Sequence, residues 1–340
     1  MAAVPPTGVL PPNARVLMIR MSALGDIIFA LETLSTLKAE RPDVRVDFLV
    51  EDRFAATLQG HPMIEELIVV PRRNPLGIPR QLWRLRRVRY DVLLDLHGIL
   101  KSSIQVLFAR ARLKIGYAAP GSREGAAFAY HRRVVLDHPE RHRAECGQFL
   151  LRELGLTGPP QRAELPDTAA APDVFGDRTG TKVILHPGTS AFATFKRWPI
   201  DRFAALAQQL AAAGMPVAVS YGPGETELFE AVHRAAPDVI EVDGRRLGLG
   251  GLVAALRQAD VVVAADTGPL HMATAVGTRV VALFGPKDTQ RYGPRGEDHA
   301  VLFHDVPCRP CRRRSCASPQ CVLGIEVDEV VARVLQTVET

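Results

Sequence analysis

Two doubly wound α/β domains in tandem are what this sequence predicts. Short β-branched runs alternate with helical stretches, the pattern of parallel strands joined by crossover helices. The alternation lapses once, between Gly155 and Lys182, and then restarts. A length of 340 residues exceeds one ordinary core and suits two. Residues 1–165 thus read as a first domain, 166–325 as a second and 326–340 as a closing helix.

The first dozen residues, with Pro5, Pro6, Pro11 and Pro12, form a loose leader. RVLMIR (15–20) is the first strand, and the first helix runs from Ile27 to Ala39. Strand VRVDFLV (44–50), a short helix near 52–59 and strand ELIVV (66–70) follow. An arginine-rich helix near 79–88 leads to strand DVLLDL (91–96), after which Gly98 and Lys101 open another helix. The run GPPQRAELPDTAAAPDVFGDRTGTK (158–182) breaks all periodicity and marks the boundary. Beyond it lie strands KVILH (182–186), PVAVS (216–220), 238–242, DVVVA (260–264) and RVVAL (279–283). Helices over 201–213, 225–236, 251–258 and 269–276 separate them. Such sheets bind ligands in the crevice outside their strand ends, so the loops there are where chemistry is expected.

Composition excludes several classes. No apolar stretch reaches bilayer-spanning length, and the leader lacks the charged start and apolar run of a secretory signal. Four of the five cysteines bunch at 308–321, unlike a secreted disulfide framework, so a cytoplasmic protein is expected. The formal charge of +5 is modest but uneven: Arg72, Arg73, Arg80, Arg84, Arg86, Arg87 and Arg89 are clustered. Such a run is either a solvated basic helix or a surface for an anionic partner.

Four motifs carry possible chemistry. MSALGDI (21–27) follows the first strand; Asp26 there is either a helix N-cap or a functional carboxylate. With one glycine in that turn, the dinucleotide fingerprint is absent. HPGTSAFATFKRWP (186–199) offers Gly188, the hydroxyls of Thr189 and Ser190, and Lys196 as a point charge for anionic oxygens. ADTGPLHMATAVG (265–277) ends a strand at Asp266, Thr267 and Gly268 and starts a helix at Pro269, so free N–H groups face a small anion. His271 lies in that helix's first turn, either donating to a phosphate or packing. In YGPGETE (221–227), Glu225 either accepts from ribose hydroxyls or caps its helix. The last motif, Cys308-x2-Cys311-x4-Cys316-x4-Cys321 among Arg309, Arg312, Arg313 and Arg314, is either a structural metal site or a thiol-rich loop.

Together these motifs resemble the lipopolysaccharide heptosyltransferases, which use ADP-heptose. The resemblance covers nearly the whole chain and rests on MSALGDI, HPGT…KRWP and DTGPLHMATAVGTRVVALFGP. DLHGILKSS (95–103) and REGAAFAYHRRV (123–134) look most like the heptosyltransferase I branch, whereas the cysteine-rich tail looks more like other branches, including heptosyltransferase II. The resemblance implies a GT-B fold, two Rossmann-like domains facing a central cleft, and an inverting transfer of heptose to the Kdo–lipid A inner core. It implies that Asp26 is the catalytic base. It places Thr189, Ser190, Lys196, Glu225, Asp266, Thr267, Gly268 and His271 on the donor, and Arg72, Arg73, Lys101 and Arg123 on the acceptor side. No cofactor is required; Lys196 and the helix at 267–270 replace a divalent ion, and no D-x-D motif is present to hold one. The expected partners are ADP-heptose, the acceptor and the anionic inner-membrane face, with peripheral attachment there and no nucleic acid. The rival readings are a same-family transferase with another acceptor, an NAD-dependent oxidoreductase, and a non-catalytic nucleic-acid binder that would explain the arginines but not the two strand-end loops of the second half.

Overall fold

The computed structural model describes residues 10–138, 141–167, 173–311, 313 and 315–339. The first nine residues of the expected leader lie outside this range, as do Arg312, Arg314 and residues 168–172 of the boundary segment. Contacts divide the chain into two compact units, Met1–Pro166 and Asp167–Thr340.

The first unit contains, in order, β1 (Arg15–Ile19), α1 (Leu24–Glu40), β2 (Arg45–Glu51), β3 (Glu66–Val70) and α2 (Ile78–Arg87). Then come β4 (Arg89–Asp95), α3 (Leu100–Phe108), β5 (Arg110–Tyr117), β6 (Arg132–Val134) and α4 (Cys146–Arg152). The six strands form one parallel sheet in the order β3-β2-β1-β4-β5-β6. β1 is buried on both faces, which is why it reads as an unbroken apolar run rather than an alternation. Leu17, Ile19, Leu49, Leu93 and Val106 meet in a core below the sheet's central strands.

The second unit contains β7 (Val183–His186), α5 (Ile200–Ala212), β8 (Val217–Tyr221), α6 (Thr226–Ala235), β9 (Ile240–Asp243) and α7 (Gly244–Leu256). It continues with β10 (Val261–Ala265), α8 (Gly268–Ala275), β11 (Arg279–Leu283), α9 (Thr289–Tyr292), β12 (Ala300–Leu302), α10 (Gln320–Leu323) and α11 (Val327–Glu339). Its sheet runs β12-β11-β10-β7-β8-β9, the same winding as the first when counted from the opposite edge. Trp198 is sealed in this core against Phe203, and its indole N–H donates to the carbonyl of Ile325 at 2.9 Å. That bond ties the loop after β7 to the turn before α11.

The structure departs from the sequence reading in places. Strands β5, β6 and β12 and helix α4 were not anticipated. The helix expected near 52–59 is a single 3-10 turn, Ala55–Thr57. α1 begins at Leu24, not Ile27, and α7 begins at Gly244, with a break at Gly248 (φ 63°) that interrupts its apolar period.

Candidate active site

In each unit the strand order reverses between its first and fourth strands, β1/β4 and β7/β10. Ligands of doubly wound sheets bind at such reversals. The motifs singled out from the sequence lie at these points.

In the first unit the chain leaves β1 through Arg20 and re-enters a helix at Leu24. Ala23 is the N-cap of α1 and makes no side-chain cap bond, so Asp26 lies within the first turn and the capping reading is corrected. The carboxylate of Asp26 instead meets Arg20 Nη2 at 2.7 Å and Arg143 Nε at 3.7 Å. Burial pushes its pKa up, but the two guanidinium charges outweigh that and hold it below the ordinary carboxylate value. Asp26 is therefore ionised at neutral pH, with 29% of its side chain still open to solvent. Arg20, Leu96, Tyr117 and Arg143 line a small recess around it.

Arg20 is fixed on its other side by a bond from Nη1 to the carbonyl of Leu96, in the loop after β4. That loop is organised by Asp95, which is fully buried. Its carboxylate accepts from the backbone N–H groups of His97 and Gly98, from Ser102 Oγ and from the Tyr130 hydroxyl, the last two at 2.7 Å. Gly116 makes room for Tyr130, since a Cβ there would lie 2.4 Å from its ring. His97 accepts from the N–H of Met21 through Nδ1, and burial with the charges of Arg20 and Lys101 pushes its pKa down to about 2.

Glu51, buried at the end of β2, gathers cations at the same end of the sheet. Lys101 Nζ lies 2.6 Å from Glu51 Oε1 and 2.7 Å from Ser22 Oγ. Arg53 pairs at 2.9 Å, and Arg72 approaches at 3.8 Å. The structure thus brings Lys101 and Arg72 together. Arg73 is exposed nearby, its backbone N–H on Asp52, and Arg123 is exposed with its backbone N–H on the Gly98 carbonyl.

In the second unit two knots flank the reversal. In the first, Glu225 accepts from Thr189 N at 3.0 Å and Gly222 N at 3.1 Å and pairs with Arg197 Nη2 at 2.5 Å. Arg197 also donates from Nε to Thr189 Oγ1. Gly188 is required here: a Cβ would stand 2.2 Å from Glu225 Oε2. Neighbouring His186 is buried against Ser220 Oγ at 2.9 Å, and burial lowers its pKa to about 4. In the second knot, Asp266 pairs with Lys196 Nζ at 2.5 Å and His271 Nε2 at 3.5 Å. Burial alone would raise the Asp266 pKa; the bond from His271 and the charge on Lys196 bring it well below the carboxylate range. Thr267 is the N-cap of α8, its hydroxyl donating to the Ala265 carbonyl, and Gly268 is the first helical residue. Ser190 is the exposed N-cap of the 3-10 helix Ala191–Lys196. Lys287 lies near Lys196; burial and then that like charge lower its pKa.

The four clustered cysteines differ in their burial. Cys321 is buried in the core beside Val322, whereas Cys308 and Cys316 are exposed. Among the described residues no group of three His, Cys, Asp or Glu side chains converges to hold a metal ion. The loop is fastened by other means, with Arg309 stacked over Phe303 at 4.1 Å and the Cys311 N–H donating to the Pro286 carbonyl at 2.7 Å.

Arg20, Glu51, Asp95, Arg143 and Arg197 were not foreseen. For Arg20, Glu51 and Asp95 a signal existed, a charged residue at the last position of a buried strand or just past it. Arg197 lies inside the HPGT…KRWP motif, next to Lys196, whereas Arg143 gave no signal beyond being basic.

Residues 80–322 match glycosyltransferase family 9 (heptosyltransferase). Lipopolysaccharide heptosyltransferase 1 of Pseudomonas aeruginosa is 27% identical over 319 residues, covering 89% of this chain and 87% of that protein. The family 9 glycosyl transferase structure from Veillonella parvula superposes with a TM-score of 0.82 at 21% identity, covering 98% of this chain and 99% of the other. Heptosyltransferase WaaC of E. coli, solved with ADP, gives 0.78 at 24% identity, covering 95% and 99%. The family match takes in most of the chain, both reversal-point motifs of the second unit among it, and sets aside the oxidoreductase reading: this chain belongs to glycosyltransferase family 9, the heptosyltransferases.

Proposed function

We propose that this enzyme transfers heptose from ADP-heptose to a Kdo–lipid A acceptor, with inversion at the anomeric carbon. The observation that carries the reading is Asp26, an ionised, partly open carboxylate steadied by Arg20 and Arg143 at the strand-order reversal of the first unit. It takes the proton from the attacking hydroxyl as the new glycosidic bond forms and the bond to ADP breaks. In the second unit, Lys196 and the N-terminus of α8 at Thr267 and Gly268 take up the charge that develops on the leaving diphosphate, the work that other transferases give to a divalent ion. Asp266 and His271 position Lys196 and the turn; Thr189, Ser190 and Glu225 hold the nucleoside side. The names of the relatives, one solved with ADP, support this donor.

Acceptor recognition belongs to the first unit and donor binding to the second. Lys101 and Arg72, gathered on Glu51, with Arg73 and Arg123, present cations for the acceptor's carboxylates and phosphates. The wider arginine segment engages the anionic cytoplasmic face of the inner membrane, so the enzyme is peripheral. No helix among the described residues is long and apolar enough to span a bilayer. Incubation of the purified enzyme with ADP-heptose and defined Kdo–lipid A acceptors, read by mass spectrometry, tests the proposal. A single heptose added with release of ADP is expected; a protein that binds ADP but adds heptose to none of them overturns it.

A further inference from the structure

Helix α3 is built inside out. Its inward face carries Ser102, Ser103 and Gln105, all buried, with Val106. Ser102 is committed to Asp95, and Ser103 donates to the Ala126 carbonyl at 3.2 Å. The apolar side chains Leu100, Ile104, Leu107 and Phe108 fall at i, i+4, i+7 and i+8, a single stripe, and each is between 41% and 48% exposed. A helix of a water-soluble domain ordinarily turns such a stripe toward the core. Two neighbouring elements also expose an apolar side chain. The 3-10 turn Ala126–Ala129 packs on α3 and exposes Phe128, and α2 packs on α3 and exposes Trp83.

An apolar face of this size wants a partner, and the charge beside it says which. α2 (IPRQLWRLRR) exposes Arg80, Arg84, Arg86 and Arg87 and contains no acid. A second copy docked by two-fold symmetry would bring these arginines toward their own counterparts. An anionic bilayer instead neutralises them while its acyl boundary receives the apolar side chains.

We propose that α3, with Phe128 and Trp83, is a membrane-insertion face whose arginine border on α2 holds anionic headgroups. This deepens the peripheral attachment proposed above and rests on it. α3 also carries Lys101 in its first turn, so insertion would set the cation cluster on Glu51 beside the lipid surface from which a lipid-anchored sugar projects.

The chain has two tryptophans, and Trp198 is sealed at 1% exposure, so Trp83 reports the surface. The test uses vesicles of phosphatidylethanolamine and phosphatidylglycerol, with and without brominated acyl chains. Brominated chains are expected to quench Trp83. Ile104→Ser/Leu107→Ser is expected to partition about ten-fold or more weakly, with melting temperature and ADP affinity unchanged. If this variant partitions like the parent while Arg84→Glu/Arg87→Glu releases the protein, insertion is overturned and the electrostatic attachment stands. If both variants partition like the parent, both readings fall. If the apolar variant instead turns a dimeric parent into a monomer and leaves partition unchanged, the face is a self-association surface and the proposal is overturned.

Discussion

Asp26 shows how much one side chain's surroundings decide. Because Ala23 caps α1, Asp26→Asn leaves the helix start intact and removes only the negative charge. Transfer is expected to fall about 10²- to 10⁴-fold in steady-state assays, with ADP affinity unchanged in calorimetry. A variant turning over at the parent rate would remove Asp26 from the mechanism. The depressed pKa adds a pH signature: the acid limb of the rate lies below the ordinary aspartate value of about 3.9. Arg143→Gln, which withdraws one of the two supporting charges, should move that limb upward; an unmoved limb would deny Arg143 this role. On the donor side, Lys196→Ala should weaken ADP about ten-fold or more, the scale of a charge-assisted bond. Asp26 and Lys196 were legible because each belongs to a motif that begins at the end of a strand, Asp26 in the first turn of α1 after β1 and Lys196 closing the 3-10 helix after β7. Arg143 was not, since it reaches Asp26 from a segment far along the chain that carries no strand-end signal.

Among the elements, the loop after β7 depends on a missing side chain. Gly188→Ala would drive a methyl into Glu225 and unsettle the bonds to Thr189, Gly222 and Arg197 together. A stability loss of about 1–3 kcal/mol and weaker ADP binding are expected from denaturant titration and calorimetry. Unchanged values on both would mean the knot can repack freely. In the thiol-rich loop, Cys308 and Cys316 should react with an aromatic disulfide reagent in the native protein, and Cys146 and Cys321 only after unfolding. Four thiols equally shielded before unfolding would contradict the arrangement described. The buried central strands announced themselves as apolar runs, but the outer ones did not. β5 (RARLKIGY) places Arg110, Arg112 and Lys114 on a half-covered face, and β12 is three residues long. Such strands are specified by a neighbour already in place, which no local window contains.

For the molecule as a whole, acid should act in two stages. His61 is buried against the Glu164 carbonyl, His186 against Ser220, and His97 lies under Arg20 and Lys101. Burial is the leading cause that lowers all three pKa values, so the unfolded chain binds protons that the folded chain refuses. Their contribution is complete above the unfolded histidine value of about 6.5 and shrinks as pH falls toward the folded values, by about 1.4 kcal/mol per pH unit for each group. Asp26 and Asp266, also depressed, hold their contribution until pH falls below about 3.9. Denaturant midpoints should therefore drop between about pH 6.5 and pH 5, and His186→Gln should shrink that drop. A flat profile over that range would rule the histidines out. The shared winding of the two sheets has a different consequence. Every loop at a reversal springs from a central strand; of the four edge strands only β3, which leads to Arg72 and Arg73, supplies a proposed ligand contact, and β6, β9 and β12 supply none. Under the proposed assignment of acceptor and donor to separate units, the two halves can be rewritten on separate schedules in evolution. A lineage meeting a new cell-envelope sugar can alter residues 20–143 while its nucleotide chemistry is inherited intact.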